Sequence, residues 1–197
     1  VDLLYAVVGE GTRRLSSMRE GDVSRLTGPC GHGWWIPEPY GRALLVAGGI
    51  GLPPVSAAAG MLAEAGVGFD IVVGARTGAM LPREALDRLA ELGGGSAKLM
   101  VCTDDGSAGR KGFTTDVVRE LLKASSYGCV YACGPNVMMA AIAQLAAEYG
   151  TACQVSLERM MGCGFGACSC CNVALAAGGY ALCCQDGPVF DAREVAW

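Results

Sequence analysis

Eleven cysteines stand in this 197-residue chain, and six of them fall within its last 35 residues. Cys163, Cys168 and Cys171 are spaced C-x4-C-x2-C in the run CGFGACSCC, and the pair Cys183 and Cys184 follows. Thiolates at that spacing, with a further cysteine downstream, are the plant-type arrangement for a 2Fe–2S cluster. Gly162, Gly164 and Gly166 permit the positive-φ turns that aim several sulfurs at one small group, and amides in such a loop can hydrogen-bond the sulfurs. Four thiolates also suit zinc, but zinc hooks come as two short C-x2-4-C pairs, whereas here the first gap is four residues and glycine-filled. If Cys168 and Cys171 bind iron, spacing excludes Cys170; it does not choose between Cys183 and Cys184. Cys30, Cys102, Cys129 and Cys153 lie in apolar runs or a loop and read as small buried hydrophobes.

A second kind of chemistry is written in LLVAGGIGLPP. Gly48, Gly49 and Gly51 fall between an apolar run and a helix-like stretch. There a backbone without side chains can approach a pyrophosphate, and the helix N-terminus offers free N–H groups. Pro54 suits the first helical turn. The strict G-x-G-x-x-G fingerprint is not present, and a tight strand–helix turn is the plainer account of these glycines. Another turn, Cys133–Gly134–Pro135, closes a later apolar run. Two such turns at the carboxyl ends of parallel strands together point to a dinucleotide site. The only histidine, His32, sits in a glycine-rich turn and receives no role; no Ser–His–Asp or Cys–His arrangement supports hydrolysis.

These residues need a scaffold, and the pattern between 41 and 156 supplies one. Short apolar runs (ALLVAGG, FDIVVGA, AKLMVCT, GCVYACG, TACQVSL) alternate with amphipathic stretches (PPVSAAAGMLAEAG, LPREALDRLAEL, FTTDVVRELLKA, PNVMMAAIAQLAAEYG). Five strands alternating with four helices predict an α/β, Rossmann-like parallel five-stranded sheet covered on both faces. Residues 1–40 hold the β-like runs LLYAVV and DVSRLTG between glycine-rich turns and read as the end of a small β-domain. Residues 157–197 lose the alternation and form a small Cys- and Gly-rich segment.

Apolar residues make up 52 % and charged residues 17 %, a globular composition, and the net charge of −4 comes without any basic stripe, so nucleic acid is excluded as a partner. No apolar run reaches the roughly 18 residues of a membrane span, and no secretion signal opens the chain. An odd number of cysteines without such a signal points to a reducing, cytoplasmic compartment and to metal ligation instead of disulfides. The chain begins at Val1 as though inside a longer protein, and a fragment or processed product is expected.

In order along the chain stand GEGT, GGIGLPP, TDDGSAGRKG, CGP, LERMMGCGFGAC and CCQDGPVFDAREV. In this combination the sequence resembles the electron-transfer subunits of type B dihydroorotate dehydrogenase, a branch of the ferredoxin–NADP reductase superfamily. The resemblance implies three parts: residues 1–40 as the C-terminal part of an FAD-binding β-barrel, 41–156 as an NAD-binding domain and 157–197 as a 2Fe–2S segment. It implies an oxidoreductase of pyrimidine (UMP) biosynthesis, assembled as a heterotetramer. Electrons would pass between NADH and the FMN of a separate dihydroorotate dehydrogenase catalytic subunit, by way of FAD and the cluster. The ligands it implies are Cys163, Cys168, Cys171 and Cys184, because the family's last cysteine sits just before the xDGPVF segment. The flavin contacts it implies are Leu4, Tyr5 and Ala6 on a barrel strand, with Gly11 and Thr12 at the pyrophosphate. Gly48, Gly49, Gly51 and Cys133–Gly134–Pro135 match its nucleotide-side motifs, and no catalytic side chain is expected.

The family's Arg-x-x-Ser flavin motif belongs before Val1, so the chain as it stands is expected to hold FAD weakly or not at all. NADH is expected over NADPH, since Arg76 has no second basic neighbour beside it. The catalytic subunit is expected to dock near the cluster segment, with Val189, Phe190 and Trp197 as contact candidates. The competing readings are an NAD(P)H-dependent reductase subunit of a hydrogenase- or sulfide-linked complex, and a zinc-stabilised nucleotide-binding module.

Overall fold

A computed structural model describes residues 3–197; the first two residues of the LLYAVV region's approach, Val1 and Asp2, lie outside the described residues. All five predicted strands form: β1 (Ala43–Gly48), β2 (Phe69–Ala75), β3 (Leu99–Thr103), β5 (Cys129–Cys133) and β6 (Ala152–Ser156). They pair in parallel in the order β3-β2-β1-β5-β6, with Val46 opposite both Val72 and Ala132. The chain winds outward from β1 to β3, then returns to lay β5 on the other side of β1. The place where the direction reverses lies between β1 and β5. Every residue of β1 is buried, as a central strand covered on both faces must be.

The sheet is longer than predicted. A two-residue strand, β4 (Arg110–Lys111), runs parallel beside β3, and β9 (Val189–Asp191) runs antiparallel beside β6. Val189 and Phe190 are therefore each only 4 % exposed and cannot be partner contacts; Trp197 remains half exposed. Their apolar side chains are consumed by packing on the sheet.

Two layers cover the sheet. On one face lie α2 (Leu52–Glu64) and α3 (Arg83–Leu92), with Trp34 and Ile36 from the preceding strap. Leu52, Val55, Ala58, Ala59 and Leu62 line the buried side of α2 at helical spacing. On the other face α4 (Thr114–Ala124) and α5 (Asn136–Glu148) bury Val117, Val118 and Leu122, and Met139, Ile142 and Leu145. That second core continues without a break into the C-terminal segment through Cys171, Val173, Ala181, Cys183, Phe190 and Val195. Here β7 (Asn172–Ala174) and β8 (Tyr180–Leu182) form a small hairpin. The boundary read at 156/157 separates two chemistries, but packing crosses it.

Residues 3–40 differ from expectation. Neither LLYAVV nor DVSRLTG forms a strand; the element present is α1 (Glu10–Ser16), closed at its start by Thr12, whose Oγ1 accepts from the Val8 and Gly9 amides. A β-ladder needs a neighbouring strand, and none pairs with these runs among the described residues. The strap from Trp34 onward is well fixed. Gln154 on β6 accepts from the Trp35 amide at 3.2 Å and donates to its carbonyl at 2.8 Å, and Tyr131 donates to the same carbonyl. Trp34 stacks edge-on against Tyr131 and donates to the Pro54 carbonyl.

At the amino-terminal ends of the strands, Asp70 is the hub of a buried polar cluster. It accepts two bonds from Arg42, one from the Tyr127 hydroxyl and one from the Lys98 amide, all at 2.7–2.9 Å. Arg42 precedes β1, Lys98 precedes β3 and Tyr127 precedes β5, so one carboxylate ties together the starts of four adjacent strands. The Arg42 guanidinium holds the Asp70 carboxyl at about 2 against burial, which opposes it.

Candidate nucleotide cleft and thiol loop

The two glycine turns meet where the strand order reverses. Gly51 packs so tightly on the turn after β5 that a Cβ there would lie 2.2 Å from the Cys133 carbonyl oxygen. Gly134, at φ 158°, would bring a Cβ within 3.0 Å of the Gly48 backbone. Gly48, Gly51 and Gly134 are thus glycines because the two turns press on each other. Gly49 is different: its φ is +54° and nothing lies within 4 Å of where its Cβ would be, so its backbone faces open space.

That space is a cleft of ≈ 520 Å³ above the carboxyl ends of β1, β2 and β3. Gly48, Gly49 and Pro135 line it, with Arg76, Asp104 and Phe113 farther out. Met138 forms the floor beside Gly48, and α2 begins directly behind the Gly49–Gly51 turn. A helix start, an open glycine backbone and an apolar floor at the switch point of a doubly wound sheet are what a dinucleotide requires. Gly51, Cys133 and Gly134 shape this site from behind; burial pushes the Cys133 thiol up to about 11, so it stays neutral. Met138, Asp104 and Phe113 were not singled out from sequence, because their role depends on loops that meet only in the fold.

The expected flavin residues are not gathered. Leu4 lines a separate hollow against α2 and α3, and Gly11 lies on a shallow depression beside Arg14 and Met18. Tyr5 and Ala6 lie in the irregular stretch before α1, and Thr12 is engaged in closing that helix.

The cysteine loop turns several of its amides toward its sulfurs. The Phe165 and Ala167 amides donate to Cys163 Sγ at 3.4 and 3.2 Å, and the Cys163 amide donates to Cys168 Sγ at 3.4 Å. Across the loop the Cys184 amide donates to Cys171 Sγ at 3.4 Å. Amide donors, from Cys170 first and then Cys163, hold the Cys168 thiol down at about 7. Gly164 and Gly166, at φ 77° and 87°, make the turns. Gly166 lies against the Gln185 side chain, which donates to the Phe165 carbonyl and closes the loop.

Cys183 and Cys184 lie in different surroundings. Cys183 belongs to the apolar core and donates its thiol to the Leu157 carbonyl at 3.3 Å; burial pushes it up to about 11. Cys184 faces Cys171 and the Gly166 amide. No three His, Cys, Asp or Glu side chains among the described residues converge as a single-ion site would need. The thiols meet instead in two groups, Cys163, Cys168 and Cys170 in one and Cys171 with Cys184 in the other. Four of these thiolates would supply the ligand set of a two-iron cluster. Of the remaining cysteines, Cys102, Cys129 and Cys153 are buried as expected, whereas Cys30 is exposed, because its loop runs over the surface.

A doubly wound sheet with a switch-point cleft and a cysteine loop on the same core defines a nucleotide-dependent iron–sulfur oxidoreductase of the ferredoxin–NADP reductase-like class. A family model described as an oxidoreductase NAD-binding domain matches residues 45–144, and one described as the iron-sulfur cluster binding domain of dihydroorotate dehydrogenase B matches residues 158–196. The chain belongs to the family of dihydroorotate dehydrogenase B electron transfer subunits. Relatives bearing that name, with NAD(+) as the stated nucleotide, come from Caldanaerobacter subterraneus, 40 % identical over 98 % of this chain and 74 % of theirs, and from a Geobacillus species, 41 % identical over 98 % and 73 %. A solved structure of the NADH-dependent reduced ferredoxin–NADP oxidoreductase superposes with a TM-score of 0.82 at 37 % identity, covering 98 % of this chain and 67 % of its own.

Proposed function

We propose that the chain is the electron-transfer subunit of an NAD-dependent dihydroorotate dehydrogenase. It passes electrons between NADH and the FMN of a separate catalytic subunit, by way of FAD and a 2Fe–2S cluster, in pyrimidine synthesis. The observation that carries this reading is the gathering of these thiols in one amide-lined loop that shares a core with the switch-point cleft. Flavin and cluster together supply the conversion between hydride transfer, which moves two electrons, and single-electron transfer.

The chain's own residues bind and position. The Gly49 backbone and the start of α2 receive the pyrophosphate, and Met80, Phe113 and Met138 keep water from the apolar wall of the cleft. Cys163, Cys168, Cys171 and Cys184 are the ligands in this reading, and the Phe165, Ala167, Cys163 and Cys184 amides direct their dipoles at the sulfurs. Such hydrogen bonds favour extra negative charge on the cluster and raise its potential. Met160, Met161 and Phe165 stand exposed around the cysteines and form the face on which the catalytic subunit docks. Among the described residues no helix is long and apolar enough to cross a membrane. The cytoplasm is the compartment proposed, because the seven cysteines outside the ligand set are free thiols and call for reducing surroundings.

The test is reconstitution. With FAD and an FMN-loaded dihydroorotate dehydrogenase catalytic subunit, dihydroorotate should reduce NAD(+) only when this protein, extended by the upstream strands expected to complete the flavin site, is present. Cys163→Ser, Cys171→Ser and Cys184→Ser should lose iron, and Cys183→Ser should keep it. A colourless, zinc-containing protein, or coupling only to a sulfide- or hydrogen-oxidising partner, would overturn the reading.

A further inference from the structure

We infer that Cys170 is a reserve ligand: the loop presents two thiols, Cys168 and Cys170, for one iron position. The inference rests on the reading that Cys163, Cys168, Cys171 and Cys184 hold a 2Fe–2S cluster, and extends it to a fifth thiol.

The geometry is local. Ser169 has φ 53°, the only non-glycine residue with positive φ among the described residues. That conformation is strained for a residue with a Cβ and persists only where the surroundings impose it. Its effect is to fold Cys170 back on Cys168. A Cβ placed on Gly162 would lie 2.9 Å from Cys168 Sγ and 3.3 Å from Cys170 Sγ, so both sulfurs border the same point. Gly162 has no side chain to separate them. Cys171, the next residue, turns the other way and is buried in the core beside Cys184. Spacing alone rules Cys170 out because neighbours in a chain cannot both face one side. Here it is Cys171 that faces away from Cys170, and Cys168 that shares its side.

Cys170 is also exposed, unlike Cys183, whose thiol is committed to the Leu157 carbonyl. Exchange is chemically neutral. With a cluster bound, iron would release the Cys168 sulfur and take the Cys170 sulfur, and the Cys170 thiol proton would pass to Cys168. No electron is gained or lost, and no co-reactant is needed. A cluster on an exposed loop thereby survives loss or modification of one thiol.

The experiment compares iron and sulfide per chain, with the visible spectrum, in the full-length chain and in C168A, C170A, C168A/C170A and C163A. Alanine is used because a serine oxygen can itself bind iron. Far-UV circular dichroism verifies that each variant folds. C170A should match the unaltered protein. C168A should keep most of its iron with a shifted spectrum, whereas C168A/C170A and C163A should lose it. Equal loss in C168A and C163A would overturn the reserve-ligand inference and leave the four-ligand reading intact. Retention of iron by C163A would overturn the four-ligand reading itself, and the inference with it.

Discussion

Replacing Asp70 by Asn keeps the shape of the side chain and removes its charge. At neutral pH the native carboxylate accepts from Arg42 twice, from Tyr127 and from the Lys98 amide. Its carboxyl sits at about 2 in the folded protein against an ordinary 3.8. At about 1.4 kcal/mol per pH unit, that interval corresponds to about 2–3 kcal/mol of stability. Because the folded value is the lower one, the contribution is complete above pH 4 and fades as pH falls toward 2. Asp70→Asn should therefore cost about 2–3 kcal/mol at pH 7, more if the Arg42 charge finds no new partner. The difference between the two proteins should shrink between pH 4 and pH 2.5. Urea unfolding at a series of pH values, read by tryptophan fluorescence, measures that difference directly, and cluster loss in acid affects both proteins alike. A difference that stays constant with pH, or is below about 0.5 kcal/mol at pH 7, would refute the view that this carboxylate pins the strand starts.

Three further outcomes are expected. Gly51→Ala should lose about 1–3 kcal/mol, because its Cβ would meet the Cys133 carbonyl, whereas Gly60→Ala in the middle of α2, with nothing within 4 Å, should gain about 0.5–1 kcal/mol; thermal melts check both. Gln154→Ala should cost about 1–3 kcal/mol and redden the tryptophan emission, since it releases the Trp35 amide from its partner and frees the strap. In a form extended by the upstream flavin-binding strands, NADH should reduce the flavin faster than NADPH, because the Asp104 carboxylate lines the same cleft as Arg76 and repels a 2′-phosphate; faster reduction by NADPH, followed by stopped-flow absorbance, would contradict this.

The sheet was legible because strands such as ALLVAGG are apolar throughout and the helices between them keep a clear stripe. The two turns were legible because glycine has few reasons to recur at strand ends. Three things were not. The β9 strand is three residues long and takes its identity from the β6 edge it covers, not from its own pattern. The strand-like runs before residue 40 have strand composition but no pairing partner among the described residues, and composition does not supply one. The different surroundings of Cys183 and Cys184 depend on the direction of each side chain, which adjacent positions in a sequence leave open. The buried carboxylate of Asp70, by contrast, left a signal that could have been read: a charge inside an otherwise apolar strand demands partners.

The antiparallel strand from the cysteine segment also governs how this protein behaves in company. A five-residue strand such as β6, left uncovered, is a template for the next molecule's backbone. Here β9 occupies that template, while the opposite border ends in a two-residue strand made of Arg110 and Lys111, too short and too cationic to recruit a neighbour. Both borders of the sheet are thus closed to self-assembly, one by a redox segment and one by charge. Metal-site chemistry and colloidal stability are coupled through a single three-residue strand, so damage that peels the cysteine segment away would be expected to surface as precipitation as well as a loss of colour.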